Sequence, residues 1–276
     1  MDEGVSLPGG RSSTLLYISM LSEEGSVEHG VCATSTVDGG GNDGNWLAAR
    51  LEEAGISNKF DLTILNIAAG DELPDAELYD FVVLGGTFHN VYDARPWQKS
   101  LRPWLVEQRK TGRPLLGICG GHQVMSVVQE EEGEEGGADG QAAAASPICS
   151  KRPAGPALGS IPVTFTDEGA AHPLLQGLAE LPQPSSFNFA NGDEVCRVPS
   201  GATVLARTED SPAVALDYGN GGWVSTQFHP EVSWLTFQHL ADNSIISQPP
   251  PAVAYHERAT TAGRTLLANF LRQGTA

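Results

Sequence analysis

The sequence has few basic residues and no long apolar run. Lys and Arg together number 16 against 34 Asp and Glu, which gives a formal net charge of -18. A field of that sign repels nucleic acid and anionic lipid, so we expect neither as a partner. No segment approaches the roughly 20 apolar residues that span a bilayer, and the acidic start is unlike a signal or transit peptide. The sequence therefore favours a soluble, cytosolic protein with no membrane partner.

Cysteine is also scarce. Cys32, Cys119, Cys149 and Cys196 form no CxxC pair and no Cys/His spacing typical of a metal site. We therefore predict reduced thiols and no bound metal. No P-loop or other nucleotide motif is present, and no cofactor is expected. A lone cysteine is most often an inert small hydrophobe, so only its local context indicates a nucleophile.

Short apolar runs rich in branched residues alternate with helical patterns in the first half of the chain. This alternation predicts an α/β fold with an open, mostly parallel twisted sheet, helices on both faces, and strands buried on both faces. Later apolar runs at short spacing predict a small, partly antiparallel strand set, followed by a final helix. The predicted strands are 14–20, 61–67, 79–86 and 113–119, and the predicted helices are 45–55, 95–112 and 260–273.

The periodic pattern is lost in residues 129–157, where acids, Gly, Ala and Pro dominate. Such a composition cannot bury enough apolar surface to fold, so we predict a disordered surface insertion. We expect a flexible N-terminus over residues 1–13. The domain organisation is then a single domain over 14–276 that this insertion interrupts.

The stretch RPLLGICGGHQVM, residues 113–125, places a cysteine between glycines where a buried strand is followed by a helix. We expect Cys119 at a sharp strand-to-helix turn, with the glycines adopting backbone angles that a side chain would forbid. Such a turn lifts the thiol into the crevice at the strand end, where the helix N-terminus favours a thiolate. On this stretch alone, a buried structural cysteine explains the pattern equally well.

Two further motifs supply what a thiolate nucleophile needs. In STQFHPEV, His229 and Glu231 are two residues apart in an extended pattern, so they point to the same face. An imidazole serves as base and acid, and a carboxylate fixes its tautomer. In LGGTFHN, the N–H of Gly86 would converge with that of Gly120 on a developing oxyanion. His89 in that stretch is interpreted as a loop residue.

The combination of GICGGHQ, QFHPE and LGGT, in this order, resembles the class I glutamine amidotransferase family. The resemblance implies a flavodoxin-like sheet and a Cys–His–Glu triad that cleaves a γ-glutamyl amide through a γ-glutamyl thioester. It gives Cys119 the role of nucleophile, His229 that of general acid and base, and Glu231 that of its orienting partner. It implies that the N–H groups of Gly86 and Gly120 stabilise the oxyanion.

The resemblance also places substrate-binding groups at Gln123, Asn191 and Asp193. Two positions depart from the family pattern. Thr87 stands where many members have proline, and Asn191 stands where many have histidine. The oxyanion loop and the substrate pocket are therefore the parts that the resemblance defines least.

Three functions fit the resemblance. The chain has no second domain long enough to be a synthetase. We expect a stand-alone γ-glutamyl peptidase or hydrolase acting on a small γ-glutamyl substrate, because the stretch GGTFHNVYD in a free-standing domain is similar to that group. The first alternative is a glutaminase subunit that delivers ammonia to a separate synthetase partner. The second is a catalytically inactive binding or regulatory module, against which the presence of Cys119, His229 and Glu231 argues.

Overall fold

The computed structural model describes residues 12–273, except 22, 24–25, 27–29, 32–36, 136–146, 179, 182–184 and 220–221. In chain order the strands are β1 (Ser13–Ser19), β2 (Phe60–Asn66), β3 (Phe81–Leu84), β4 (Leu115–Ile118), β5 (Cys149–Lys151), β6 (Ala157–Pro162), β7 (Thr164–Phe165), β8 (Ser186–Asn191), β9 (Asp193–Val195), β10 (Thr203–Arg207), β11 (Ala215–Asp217) and β12 (Trp223–Thr226). The α-helices are α1 (Asp43–Glu53), α2 (Pro96–Lys110), α3 (Gly120–Glu135), α4 (Asp167–Ala171), α5 (Trp234–Asp242) and α6 (Glu257–Gln273).

The central sheet has eight strands in the order β2, β1, β3, β4, β12, β11, β10, β7. Strands β2, β1, β3, β4 and β12 pair in parallel, and the pairs from β12 to β7 are antiparallel. Two small antiparallel pairs, β5 with β9 and β6 with β8, lie outside this sheet. The predicted open, mostly parallel α/β sheet with a small antiparallel strand set is confirmed. Of the eight later strands, β5, β6, β8 and β9 form the two small pairs, and the other four extend the central sheet.

Both faces of the sheet are covered by apolar packing. Alternate residues of β1 belong to different clusters, with Leu15 and Tyr17 in one and Leu16 and Ile18 in the other, as the period of a strand requires. Helices α1 and α6 contribute to the first cluster, and α2 and α3 contribute to the second. The helical members are Leu47, Leu51, Leu266 and Phe270 for the first, and Leu101, Leu105, Val124 and Val128 for the second.

The prediction that every strand of the first half is buried on both faces is wrong for β2. All residues of β3 and β4 are buried, whereas β2 contains none that is fully buried. The reason is position, because β2 is an edge strand with β1 as its neighbour in the sheet. Its apolar residues are half-buried on both faces, with Leu62 and Ile64 packed against the first cluster and Leu65 against the second.

The prediction of a disordered insertion over residues 129–157 is wrong at both ends of that range. Helix α3 continues through the acidic run to Glu135, and β5 forms at Cys149–Lys151. Glu and Gln are good helix formers, which explains why the helix continues. Residues 136–146, and residues 1–11 of the predicted flexible N-terminus, lie outside the described residues. Among the described helices, none is both long and apolar enough to cross a membrane.

Candidate active site

Cys119 lies at a tight turn between β4 and α3. Its φ is 52°, in the left-handed region that non-glycine residues rarely adopt. The Cys119 N–H donates to the Thr226 carbonyl at 2.8 Å, which joins the end of β4 to the end of β12. The cysteine is 6% exposed. A strained, nearly buried cysteine at a strand end is typical of a functional position.

The glycines beside Cys119 serve a purpose other than the one predicted. The left-handed angle belongs to Cys119 itself, and the glycines permit close backbone approach. A Cβ at Gly120 would lie 2.4 Å from Thr87 Cγ2, and one at Gly121 would lie 2.4 Å from the Leu84 carbonyl oxygen. The turn is therefore packed directly against β3 and the loop that follows it.

His229 and Glu231 follow β12, which lies beside β4 in the sheet. Their side chains pair at 2.8 Å between Nδ1 and Oε1, and Glu231 is fully buried. The Cys119 side chain interacts electrostatically with the same imidazole. Burial opposes a charge on the imidazole, but the negative charges of Glu231 and Cys119 outweigh it and raise the His229 pKa well above its usual value. The arrangement favours a charged imidazolium paired with Glu231.

Gly86 borders this group of side chains. A Cβ at Gly86 would lie 3.1 Å from His229 Cε1 and 3.7 Å from Cys119 Cβ. Within the part of the chain that the structure describes, the N–H groups of Gly86 and Gly120 have no hydrogen-bond acceptor. Unpaired N–H groups next to a nucleophile suit a developing oxyanion. Their role as oxyanion donors stays a prediction.

A buried polar cluster surrounds Gln123, one turn along α3 from Cys119. Gln123 Nε2 donates to the Asp193 carbonyl at 3.0 Å and to Gln227 Oε1 at 3.1 Å, and Asn191 Nδ2 donates to the same Asp193 carbonyl at 2.8 Å. Asn191 Oδ1 and Gln227 Nε2 are buried and have no partner among the described residues. The structure thus brings the three predicted substrate-binding residues together, with polar atoms left over for a ligand.

Tyr92 and Gln227 belong to this cluster, although the sequence does not single them out. The Tyr92 hydroxyl donates to Asp193 Oδ2 at 2.8 Å, and this bond raises the pKa of Tyr92 to about 12. No sequence pattern links a tyrosine in the loop after β3 with an aspartate of β9. Gln227 lies two residues before His229, so the alternation of an extended segment is the signal that could have found it.

Two other histidines lie near the site without joining it. The His89 ring packs beside Trp97, and its Nε2 lies 3.8 Å from Glu23, which agrees with its interpretation as a loop residue. His122 is buried, its pKa is lowered to about 3 by desolvation, and its Nδ1 pairs with Ser225 Oγ at 2.7 Å. Among the described residues, no group of three or more His, Cys, Asp or Glu is arranged to hold a metal ion.

Comparisons with known proteins agree with this geometry. The family model for class I glutamine amidotransferases matches residues 42–247. The chain is 33% identical over 178 residues to one subunit of the glutamine-hydrolysing GMP synthase of Ignicoccus hospitalis, covering 63% of this chain and 76% of that subunit. It is 28% identical over 156 residues to a γ-glutamyl-L-1-hydroxyisopropylamide hydrolase of a Pseudomonas species, covering 56% of this chain and 48% of the hydrolase. This chain also matches two longer GMP synthases, of whose lengths it covers 36% and 20%.

The fold comparison covers nearly the whole chain. A glutamine amidotransferase from Thermotoga maritima superposes with a TM-score of 0.65 at 20% identity, covering 96% of this chain and 99% of that one. At that identity the likeness establishes the fold. Together with the family match over residues 42–247, it shows that the chain belongs to the class I glutamine amidotransferase family.

Proposed function

We propose that this protein hydrolyses a γ-glutamyl amide bond through a covalent γ-glutamyl thioester on Cys119. The observation that carries this proposal is the connected set of Cys119, His229 and Glu231 side chains at the adjacent ends of β4 and β12. A thiol, a base and a group that orients the base are the three parts of a nucleophilic acyl-transfer site.

The first half of the reaction follows from these contacts. His229 takes the thiol proton, and the Cys119 sulfur attacks the γ-carbonyl carbon of the substrate. The resulting oxyanion accepts hydrogen bonds from the N–H groups of Gly86 and Gly120. As the tetrahedral intermediate collapses, the carbon–nitrogen bond breaks and His229 protonates the departing amine or ammonia.

The second half releases glutamate and restores the thiol. His229 takes a proton from water, which attacks the thioester carbonyl, and the same N–H groups stabilise the second oxyanion. Collapse breaks the carbon–sulfur bond and returns the proton to Cys119. Throughout, Glu231 accepts from Nδ1 at 2.8 Å, which keeps Nε2 directed at the reacting groups and stabilises the imidazolium.

The polar cluster around Gln123 suits the amino-acid end of a γ-glutamyl group. Its amides can bind the α-carboxylate, and the Asp193 carboxylate can accept from the α-ammonium. Gln123, Asn191 and Asp193 are each more than nine-tenths buried, so charge pairing there would be strong. We propose these three residues as substrate-binding groups.

We propose that the enzyme acts as a stand-alone γ-glutamyl peptidase or hydrolase. The relative named as a γ-glutamyl amide hydrolase supports this choice. The relative named as a GMP synthase subunit supports a second candidate, in which the ammonia passes to a separate synthetase partner. In both candidates the chemistry at Cys119 is the same, and the leaving group and its fate differ.

Glutamate release separates these candidates. The purified chain would be incubated with glutamine and with a panel of γ-glutamyl peptides and amides, with Cys119→Ala as the inactive variant and Cys196→Ala as a matched thiol control. Turnover of peptides or amides without a partner would establish the stand-alone hydrolase. Slow turnover of glutamine alone would favour the synthetase partner. If no substrate gives glutamate release that is lost in Cys119→Ala, the proposal is overturned in favour of an inactive binding module.

A further inference from the structure

A second buried carboxyl group lies close to the triad and has no part in the mechanism above. Asp43, the first residue of α1, is 1% exposed. The Tyr17 hydroxyl donates to Asp43 Oδ2 at 2.8 Å. A Cβ at Gly85 would lie 2.5 Å from both the Tyr17 hydroxyl and Asp43 Oδ2. The Tyr17–Asp43 pair is therefore packed against the backbone immediately before Gly86.

Gly85 connects this pair to the reacting groups. Its N–H donates to the Ile18 carbonyl at 2.9 Å, and its carbonyl accepts from the Gly121 N–H at 3.1 Å. The same short backbone segment thus joins β1, the oxyanion loop and the turn that carries Cys119. Because well-packed backbone transmits small displacements, the position of Asp43 affects the position of Gly86 and of the nucleophile.

The surroundings of Asp43 disfavour a negative charge. Burial is the main reason that its pKa is raised to about 7, and the charge of Glu231 adds to the effect, whereas hydrogen bonds from Ser19 and Tyr17 oppose it. Asp43 Oδ1 and Glu231 Oε2 are both buried without a partner among the described residues. The Cys119 charge also acts on Tyr17. Asp43 therefore shares one electrostatic environment with the triad.

The charged and titratable groups that face Asp43 come from two elements. Tyr17 belongs to β1, and Glu231 belongs to the segment after β12. Arg50, on the same helix as Asp43, is engaged in ion pairs with Asp38 and Glu53. The groups that compensate Asp43 are thus the neutral hydroxyls of Ser19 and Tyr17, and no cation of the described residues forms an ion pair with it.

We propose that Asp43 is a positioning residue for the nucleophile: together with Tyr17 it packs against Gly85, and its ionisation makes Cys119 less reactive. A second negative charge near Glu231 and Cys119 opposes formation of the thiolate, which is the attacking species. The effect of Asp43 on catalysis rests on the proposed function. Its effect on the reactivity of the Cys119 thiol can be tested without any substrate.

Iodoacetamide labelling of Cys119 tests the inference directly. The thiolate displaces iodide from the reagent, and peptide mass spectrometry follows the labelled Cys119 peptide separately from the other cysteines. The labelling rate would be measured on the full chain from about pH 5.5 to about pH 9 in four proteins. These are the wild type, Asp43→Asn, Tyr17→Phe and the control Asp61→Asn, which replaces an exposed aspartate on the edge strand β2.

The inference predicts a pH-dependent difference between the proteins. Asp43→Asn should label at the wild-type rate to within about twofold near pH 6, and at least about threefold faster near pH 8, because the Asn side chain stays neutral. Tyr17→Phe should move the inflection of the wild-type profile to higher pH, since the lost hydrogen bond had favoured the charged form. Asp61→Asn should follow the wild type.

Either of two results would overturn the inference. One is a ratio of Asp43→Asn to wild-type labelling that stays constant with pH, which is what a merely structural role produces. The other is a Tyr17→Phe profile displaced to lower pH. Failure of glutamate release with every substrate, alongside the expected labelling profiles, would refute the proposed function and leave this inference standing.

Discussion

Burial of Asp43 makes the folded protein lose stability as the pH rises toward neutrality. The pKa of this carboxyl is raised from 3.8 to about 7 in the folded chain, so between those values the folded chain keeps a proton that the unfolded chain has lost. The stabilisation from that proton is complete below about pH 4 and is lost progressively up to about pH 7. At about 1.4 kcal/mol per pH unit, the whole interval is worth of order 4 kcal/mol.

Asp43→Asn isolates this contribution, because asparagine cannot titrate. The free energy of unfolding would be measured by urea titration with tryptophan fluorescence at several pH values above the isoelectric point of about 4.6. From about pH 5 to about pH 7, we expect the difference between variant and wild type to move by about 2 kcal/mol in favour of the variant.

The exposed Asp61→Asn change supplies the control, and its stability should follow that of the wild type at every pH. A difference between Asp43→Asn and wild type that stays constant over this range would contradict this prediction. It would mean that Asp43 keeps an ordinary pKa and that its burial is compensated.

Three further predictions concern the proposed reaction. Glu231→Gln should lower kcat by about 10²- to 10⁴-fold in steady-state kinetics, because His229 loses the carboxylate that orients it, and an unchanged kcat would contradict this role. Tyr92→Phe should raise KM for a γ-glutamyl substrate about tenfold with kcat within about twofold, since the bond to Asp193 is lost; a fall in kcat alone would count against it. Gly86→Ala should reduce kcat about 10²-fold, because its Cβ would lie 3.1 Å from His229 Cε1, whereas wild-type kinetics would show that the loop can shift.

Local patterns are enough to predict the elements that carry the site. The apolar runs of β1, β3 and β4 are buried on both faces and are recognisable as such, and the order of strands and helices indicates a parallel sheet. The edge position of β2 is not predictable, because it depends on which strands become neighbours. Helix α3 extends to Glu135 because helix propensity continues past the end of the apolar periodicity.

Contacts between distant segments mark the limit of what the sequence can indicate at the site. The Cys119 turn is predictable from its glycines, but their actual use, close approach to Thr87 and Leu84, depends on the distance between two elements. The contacts of Tyr92 with Asp193 and of Tyr17 with Asp43 join residues 101 and 26 positions apart. A buried carboxyl such as Asp43 has no local signature, because its environment is created by the packing of β1 against α1.

The central claim is that Cys119 carries the γ-glutamyl group as a thioester, and intact-protein mass spectrometry tests it most directly. The wild-type chain would be mixed with a turned-over γ-glutamyl substrate and quenched in acid, beside Cys119→Ala as control. We expect a species heavier than the wild type by one glutamyl residue, located on the Cys119 peptide and absent from Cys119→Ala. Turnover at wild-type rates in Cys119→Ala, or a glutamyl adduct on another residue, would contradict it.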